Sequence, residues 1–390
     1  MKNFHFHLLQ DAVFGTGTLQ SLPEILERCG GTRVMLVSDE VLAELGHVEK
    51  VKSLITAAGC SCTEFLQVEP NPTAKTVEAC ATLYQSCGAN VTVVLGGGSP
   101  IDVAKAMRVV ARYGGKTLDY EGTGKVPGPL DPLIAIPTTA GTGSEFTNGA
   151  VISDHERVYK TVLADPHMAA RHVILDPSLL LGMPASVAAS CGADAFIHAM
   201  EAYISRVGSP YSDALALQAM RLIGPNLRPF VACREDQESA SAMMVGSALA
   251  GAALALGRLG LIHAMSHPIS AFYDVPHGVA NAVLVPAVLE YNALADRGKY
   301  ADIYEALTGI HPDASFRPNH LIEAWVALNQ DIGMPSCLEN LGIQEEKFPP
   351  MARDTMTSPY VATNPRTFRE TEVLQVFQAA MKPWATGSAF

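Results

Sequence analysis

The sequence lacks the surplus of basic residues with which proteins bind nucleic acids or anionic membranes. It contains 27 lysines and arginines against 39 aspartates and glutamates, which gives a formal net charge of -12 at pH 7. Residues 1–7 have no apolar core of signal-peptide length and no cleavage pattern, and none of the eight cysteines belongs to a CxxC pair. We therefore expect a cytoplasmic protein with reduced thiols, and no nucleic acid or membrane as its partner.

Two familiar nucleotide-binding motifs are absent as well. The chain has no GxGxxG, and Gly115-Lys116-Thr117 lacks the earlier glycine that a P-loop requires, so neither a plain dinucleotide fingerprint nor an ATPase is indicated. Charge is absent from residues 239–257, but these are mainly alanine, glycine, serine and methionine. A tightly packed interior helix is therefore a better interpretation of this run than a membrane span.

A chain of 390 residues, 48% of them hydrophobic, is long enough for two domains. In the first half, short β-rich runs alternate with helical runs, which predicts βαβ units and a parallel sheet. The predicted strands are 33–37, 61–68, 91–95 and 133–136, and the predicted helices are 48–58, 76–86 and 103–112. After residue 184 the spacing is helical throughout, so we place a boundary between residues 1–182, an α/β domain, and residues 183–390, an all-helical domain.

A glycine-rich loop, Gly96 to Asp102, joins the third predicted strand to a helix. Its glycines let the backbone approach a ligand closely, Pro100 suits a first helical turn, and the N–H groups of a helix N-terminus attract an anion such as a diphosphate. A glycine turn can also simply connect a strand to a helix, so both interpretations stand. A second loop, Pro137 to Glu145, offers hydroxyls and glycines suited to a ribose or a phosphate.

Three histidines, His263, His267 and His277, lie in one short and otherwise apolar stretch. Imidazole is the commonest metal ligand in proteins, so this cluster predicts a cation site. Asp194 and His198 stand four residues apart in a helical sequence, which places both on one face. One carboxylate with two or three imidazoles suits Fe(II) or Zn(II), with one coordination position left for a substrate.

These fragments, taken in order, resemble the iron-dependent (group III) alcohol dehydrogenases, the family of the lactaldehyde and 1,3-propanediol oxidoreductases. The resemblance covers essentially the whole chain and rests on Gly96 to Lys105, Pro137 to Glu145, Gly192 to His198 and His263 to Asn281. It implies a dehydroquinate synthase-like fold, with an N-terminal Rossmann-like α/β domain, an all-α C-terminal domain, and the cofactor and metal in the cleft between them. It also implies at least a homodimer, for which the run from Phe4 to Phe6 is a candidate pairing strand.

The same resemblance assigns roles to individual residues. The implied metal ligands are Asp194, His198, His263 and His277. The implied cofactor contacts are Asp39, Asn71, Gly97, Gly98, Ser99, Pro100, Asp102, Thr138, Thr139 and Lys160. Iron is the metal that the family implies, although this ligand set favours zinc by affinity, so zinc or another divalent ion also fits.

The implied reaction is hydride transfer between a nicotinamide and a small primary alcohol or aldehyde whose oxygen binds the metal. By resemblance, His267 lies close to the nicotinamide without binding the metal; it is suited to relaying a proton toward solvent, and the alternative is a structural histidine. Asp39 matches the position that faces the adenine ribose, where a carboxylate would repel a 2′-phosphate. We therefore expect NAD(H) rather than NADP(H) as the cofactor.

Three positions depart from the pattern of relatives that act on neutral diols. Leu254 begins a stretch where such relatives often carry an aromatic residue and paired asparagines, and Gly149 replaces a pocket asparagine. Arg258 adds a lone charge to a nonpolar run, and a buried guanidinium needs an anionic partner, either a protein carboxylate or the substrate. The second case predicts a small anionic aldehyde at these three residues, for instance sulfoacetaldehyde reduced to isethionate.

Other functions stay open at this point. Within the family, the alternative is a lactaldehyde or 1,2- or 1,3-propanediol oxidoreductase that acts on neutral diols. A glycerol dehydrogenase-like or dehydroquinate synthase-like enzyme would share the glycine loop and a metal site, but the Asp194-x3-His198 and His263-x13-His277 spacing favours the group III branch. A non-enzymatic nucleotide sensor would leave an open-sided metal site without a purpose.

Overall fold

A computed structural model describes residues 8–154, 156–157 and 159–385. Contacts divide these residues into two units, one of 8–139 with Gly143–Leu180 and the other of 181–385 with Ala140–Thr142. The first unit is built around a parallel sheet and the second is built of helices, which confirms the predicted fold class. The assignment of residues 1–182 to cofactor binding and of residues 183–390 to metal binding and catalysis stays a prediction.

Nine strands occur in the described part of the first unit. They are β1 (Asp11–Phe14), β2 (Arg33–Val37), β3 (Ser61–Phe65), β4 (Val91–Gly96), β5 (Gly122–Thr123), β6 (Leu133–Pro137), β7 (Gly149–Asp154), β8 (Tyr159–Ala164) and β9 (His172–Leu175). The main sheet has the order β1-β9-β6-β4-β2-β3, and every neighbouring pair in it is parallel. All four predicted strands belong to this sheet.

The central strands β4 and β6 are buried along their whole length, as expected for a parallel sheet with helices on its faces. The helices of this unit are α1 (Leu22–Arg28), α2 (Glu40–Glu44), α3 (His47–Ala57), α4 (Ala74–Cys87) and α5 (Gly98–Tyr113). The strand order reverses at β4, since β2 and β3 lie on one side of it and β6 and β9 on the other. Open sheets of this kind bind ligands beyond the carboxyl ends of the strands at this switch point, and the glycine loop lies there.

A second sheet of three strands, in the order β5-β8-β7, was not predicted. Its main element is the antiparallel pair of β7 and β8. Side chains of β7 alternate between half-buried and buried positions, so one face of the strand is buried and the other is half-buried. Polar residues and glycine interrupt the hydrophobic signal of these strands.

The second unit contains the remaining helices of the described chain. They are α6 (Ala185–Ile204), α7 (Pro210–Ala232), α8 (Gln237–Gly257), α9 (Leu261–Tyr273), α10 (His277–Asn292), α11 (Lys299–Thr308), α12 (Pro318–Asp331), α13 (Phe348–Thr357) and α14 (Glu370–Ala380). Small residues let these helices approach closely. A Cβ on Gly192 of α6 would lie 2.3 Å from Cδ1 of Leu227 on α7, and a Cβ on Gly246 of α8 would lie 2.6 Å from Cγ1 of Ile223.

Two described helices, α8 and α10 with its extension to Ala295, are long and apolar enough to cross a membrane by length and composition. Of the apolar 18-residue stretch in each helix, 61% is buried inside the protein in α8 and 72% in α10. The contacts of α8 are with α6 and α7. This burial is that of core helices, in agreement with the interpretation of residues 239–257 as an interior helix.

The candidate pairing strand from Phe4 to Phe6 lies outside the described residues. As described, β1 is an edge strand of the main sheet. The homodimer therefore stays a prediction.

Candidate active site

Helix α6 carries the first two predicted metal ligands. Most of its residues are buried, because it packs against α7, α8 and α10. Asp194 and His198 project from one face of it, and both are buried. Their side-chain ends meet, since His198 Nε2 lies 3.9 Å from Asp194 Oδ2.

The other two predicted ligands come from the beginnings of two helices. His263 lies in the first turn of α9, and His277 is the first residue of α10. His263 Nε2 lies 3.7 Å from Asp194 Oδ1, and the His263 ring stacks on the His198 ring with 4.6 Å between centroids. One ligand atom each from Asp194, His263 and His277 lies within 4.8 Å of the other two. The structure thus brings the four predicted ligands together.

The contacts of Asn281 test whether these residues fit a metal. This residue is fully buried on α10; its Nδ2 donates to Asp194 Oδ1 at 2.7 Å and lies 3.0 Å from His263 Nε2 and 3.1 Å from His277 Nε2. An amide nitrogen carries two protons and cannot serve three acceptors at once, whereas a divalent cation accepts all three lone pairs. Carboxylate and imidazole are also donors that Fe(II) and Zn(II) accept. The residues therefore fit the predicted metal.

Electrostatics in this cluster favour positive charge. Burial alone would raise the pKa of Asp194, but the imidazoles of His198, His263 and His277 outweigh burial and hold that pKa well below its ordinary value. Burial alone would lower the pKa of His263, but hydrogen bonds and charges of Asp194 and Glu201 raise the pKa of His263 to about 9. Burial lowers the pKa of His198. Two buried carboxylates thus stabilise positive charge, which a divalent ion supplies.

Two residues of the site, Glu201 and Asn281, were not among the predicted site residues. Glu201 is buried and lies 2.7 Å from the Nδ1 of His263. Each follows a predicted ligand on its own helix, Glu201 three residues after His198 and Asn281 four residues after His277, so helical spacing was the available signal. Their partners lie on other helices, which spacing does not reveal.

His267 lies one turn after His263 on α9, as predicted, and is half-buried. The centroid of its ring lies 5.2 Å from that of His277 and 6.0 Å from that of Tyr360. Neither His267 nor His198 belongs to the group of three ligand atoms within 4.8 Å of one another, but His198 contacts Asp194 directly at 3.9 Å. This position beside the cluster is compatible with the predicted proton relay, which stays a prediction.

In the first unit, the two predicted cofactor loops are in direct contact. Gly97 is the N-cap of α5, and residues 98–100 form its first turn. A Cβ on Gly97 would lie 3.1 Å from Thr139 Oγ1, and Thr138 N donates to Gly96 O at 3.1 Å. Four of the predicted cofactor residues lie at the start of α5, and two follow β6 at the same edge of the sheet.

Asp102 and Lys105 on α5 hold the second loop in place. Asp102 accepts hydrogen bonds from Ser144 Oγ at 2.6 Å and from Val151 N at 2.9 Å. The buried Lys105 Nζ donates to Ser144 O at 2.5 Å and to Gly149 O at 2.8 Å, and burial lowers the pKa of Lys105 to about 8. Lys105 had no predicted role, and the structure gives it a supporting one. Because both oxygens of Asp102 bond to the protein, its effect on this loop is structural, and a direct cofactor contact stays a prediction.

The remaining predicted cofactor residues follow β2 and β3 or lie in β8. Lys160 Nζ donates to Asn71 Oδ1 at 2.5 Å, so the structure brings this predicted pair together. Asp39 follows β2, is half-buried, and caps α2 by accepting from Leu42 N at 2.9 Å. The cap fixes the position of the Asp39 carboxylate beyond the carboxyl end of β2.

The prediction that Arg258 is buried is wrong. Helix α8 ends at Gly257, and Arg258 is the exposed residue that follows it, with φ 65° and ψ 174°. It takes part in no salt bridge within the part of the chain that the structure describes. The nonpolar run around Arg258 suggests burial, but the backbone leaves the helix at this residue, so its side chain is exposed. Burial therefore imposes no anionic partner; Leu254 and Gly149 are half-buried.

Comparison with known proteins extends over both units. Residues 10–177 match the family described as "Iron-containing alcohol dehydrogenase", and residues 188–381 match "Fe-containing alcohol dehydrogenase family, C-terminal". 1,3-Propanediol dehydrogenase of Klebsiella pneumoniae is 37% identical over 374 residues, which cover 94% of this chain and 96% of that protein. Lactaldehyde reductase of Escherichia coli (strain K12) is 35% identical over 377 residues, which cover 96% of this chain and 98% of that protein.

Solved structures are similar to this chain over nearly its whole length. A crystal structure of 1,3-propanediol oxidoreductase superimposes with a TM-score of 0.93 at 36% identity and covers 97% of this chain and 100% of its own. Sulfoacetaldehyde reductase from Bifidobacterium kashiwanohense, in complex with NAD+, gives a TM-score of 0.88 at 27% identity and covers 97% of this chain and 99% of its own. With both units matched and the ligand cluster of the helical unit assembled, the chain belongs to the iron-containing alcohol dehydrogenase family and is an oxidoreductase.

Proposed function

We propose that the protein is an NAD(H)-linked alcohol dehydrogenase and aldehyde reductase, in which residues 1–182 bind the cofactor and residues 183–390 bind metal and substrate. The convergence of ligand atoms of Asp194, His263 and His277 carries this proposal. A divalent metal, iron by family membership, supplies Lewis acidity toward the substrate oxygen when bound, and a nicotinamide supplies or accepts the hydride. The substrate class is a small primary alcohol or aldehyde.

The proposed proton donor is His267. When hydride reaches the carbon of an aldehyde, the oxygen must take up a proton to become an alcohol. The His267 ring lies next to that of His277 and is half-buried, so it has access both to the site and to water. An imidazole exchanges protons readily near neutral pH. His267 therefore gives its proton to the oxygen and recovers one from water.

The start of α5 fits a dinucleotide diphosphate. This helix has 16 residues, and its first N–H groups point outward from the glycine loop at the switch point of the sheet. Gly97 leaves room for close approach, because no side chain stands there. The NAD+ complex of the similar sulfoacetaldehyde reductase supports the same cofactor for this chain.

Replacing Asp39 by Gly is expected to narrow the preference for NADH over NADPH. A carboxylate near a 2′-phosphate costs about 1–4 kcal/mol, and the low end applies to the half-buried Asp39, so we expect a change of about fivefold or more. Glycine costs a helix cap only a few tenths of a kcal/mol. The ratio of kcat/KM for the two cofactors measures the effect. Asp236→Gly, which alters the cap of α8, is the matched control; equal use of both cofactors by the wild type would refute the assignment.

For the substrate, we propose a small anionic aldehyde such as sulfoacetaldehyde. The feature that favours it over neutral diols is the exposed guanidinium of Arg258, which stands five residues before the proposed metal ligand His263. A non-glycine residue in this backbone region costs about 1–3 kcal/mol, and such residues concentrate at ligand sites. Neutral lactaldehyde and propanediol are the second candidate class, supported by the similarity to the 1,3-propanediol dehydrogenase of Klebsiella pneumoniae and the lactaldehyde reductase of Escherichia coli.

Arg258→Gly is expected to lower kcat/KM for sulfoacetaldehyde about 3- to 10-fold and to leave propionaldehyde unaffected. An exposed charge contact contributes about 0.5–1.5 kcal/mol, and glycine adopts this backbone conformation without strain. Arg297→Ala, at another exposed arginine, is the control. Equal losses with both aldehydes would show that Arg258 does not select for an anion.

The proposed activity is tested by NADH oxidation with an aldehyde panel. Protein loaded with Fe(II) under anaerobic conditions is mixed with NADH and with propionaldehyde, lactaldehyde or sulfoacetaldehyde. We expect oxidation that depends on both metal and aldehyde. If metal-loaded protein oxidises NADH with none of them, the proposed function is wrong.

A further inference from the structure

We propose that Glu201 is a positioning residue of the metal site: it holds the His263 imidazole in the tautomer that presents Nε2 to the metal, and it fastens α9 to α6. The proposal rests on the proposed function only in requiring that a divalent metal binds at the cluster of Asp194, His198, His263 and His277. Glu201 acts through His263 and is not itself a ligand.

All the described contacts of the Glu201 carboxylate go to the beginning of α9. Its side chain is 2% exposed. Oε2 lies 2.7 Å from His263 Nδ1 and accepts from Gly260 N at 3.1 Å, while Oε1 accepts from Ile262 N at 2.7 Å. One carboxylate thus receives two backbone donors and one ring donor, and its charge is satisfied without a lysine or arginine within the described residues.

The ring contact selects one tautomer of His263. A carboxylate is an acceptor only, so the His263 nitrogen that faces Glu201, Nδ1, carries the proton. In the neutral imidazole the other nitrogen, Nε2, then offers its lone pair. Nε2 is the atom that faces Asp194 Oδ1 and Asn281 Nδ2, at 3.7 and 3.0 Å. Carboxylates that orient metal-binding histidines in this way also raise the basicity of the ligand.

The backbone contacts fix where the ring stands. The first N–H groups of a helix have no partner within it, and the N-cap of α9 is Gly260, which has no side chain to supply one. Glu201 from α6 takes that place for Gly260 and Ile262, and Asn364 Oδ1 accepts from Leu261 N at 3.1 Å. A negative charge at a helix N-terminus is favourable. Because α6 also carries Asp194 and His198, Glu201 sets three ligands relative to one another.

Gly260 lies so close to the Glu201 carboxylate that the space between them has no room for a side chain at residue 260. A Cβ at this position would lie 3.0 Å from Glu201 Oε1 and 3.0 Å from Asn364 Oδ1. Such a distance is tighter than nearly all real Cβ contacts, so the neighbours would have to move. A side chain at residue 260 would therefore displace the carboxylate from the position in which it holds His263.

Glu201→Gln tests the proposal through metal affinity. Glutamine keeps the size of the side chain but turns an N–H₂ group toward one of the donors, so the His263 contact or a backbone contact is lost. We expect the Kd for Co(II), measured by competition with a chromogenic chelator, to rise about 10- to 100-fold. The visible absorption of bound Co(II) should shift as well, because it reports ligand geometry. An unchanged Kd and spectrum would overturn the proposal.

Asn364→Ala is the matched control, because it removes a hydrogen bond from the same helix start without touching His263. We expect it to lower Tm while the Co(II) Kd stays within about threefold of the wild type, since it removes no partner of the imidazole. If both variants lose Co(II) affinity in proportion to their loss of Tm, Glu201 is only a structural anchor and the proposal fails.

A measurement on the unaltered chain covers the case in which Glu201→Gln does not fold. Long-range 1H–15N spectra of zinc-loaded protein with 15N-labelled histidine are expected to show His263 protonated at Nδ1 and metal-bound at Nε2. The reverse pattern overturns the proposal. Absence of aldehyde-dependent NADH oxidation in the wild type would instead refute the proposed function and leave these two results standing.

Discussion

Asp194→Asn is expected to abolish metal retention and turnover together. The substitution keeps the shape of the side chain but removes the only carboxylate among the four proposed ligands, the group whose pKa the three imidazoles hold low. Lewis acidity contributes several kcal/mol to reactions of this kind, and each 1.36 kcal/mol is a factor of ten, so kcat should fall by about 10³-fold or more. Metal content after desalting, measured by mass spectrometry, should fall in parallel.

Asp331→Asn is the control for this variant, because Asp331 is an exposed aspartate whose partner is Arg228 on the surface. It should retain metal and activity. An Asp194→Asn protein that keeps a full complement of metal would show that the ion binds elsewhere.

His267→Ala is expected to separate metal binding from turnover. Since the family resemblance places His267 beside the nicotinamide and not among the metal ligands, metal content should match the wild type. Loss of a positioned proton donor should lower kcat by about 10²-fold, the low end of the usual range for general acid–base catalysis. The exposed His311 supplies the matched control, His311→Ala. Loss of metal in His267→Ala would make this histidine a ligand and would contradict the division of roles.

Helical spacing made most of the ligand cluster predictable. Asp194 and His198 share a face of α6 because they are four residues apart, and His263 and His267 share a face of α9 for the same reason. Strong β-rich runs likewise predicted the central strands β2, β4 and β6. Periodicity identifies a face or a strand, and the family resemblance then indicated which faces meet.

The residues that support the site could not be predicted in this way. Glu201 contacts His263 across 62 positions of the chain, and Lys105 reaches the loop at Ser144 across 39. Each contact arises from tertiary packing, so neither leaves a local pattern. Buried charges such as these are stable only with their partners, and the partners become visible only in the fold.

Two errors have local causes. In β7 and β8, half-buried positions alternate with buried ones, and polar residues in both strands conceal the hydrophobic period of two that would predict them. Apolar residues precede and follow Arg258, which predicts a buried residue, yet α8 ends at Gly257 and Arg258, with a φ of 65°, is exposed. A helix end with a non-glycine residue in this conformation has no clear sequence signal, since glycine is the usual residue there.

The proposed function requires that one divalent metal, held by Asp194, His198, His263 and His277, enables hydride transfer with NAD(H). An anaerobic titration of chelator-treated protein with Fe(II), monitored by NADH-dependent aldehyde reduction, tests this requirement. We expect no activity without metal, and a linear rise of activity to a plateau at one iron per chain. Full activity of the metal-depleted protein, or a plateau unrelated to the amount of bound iron, would contradict it.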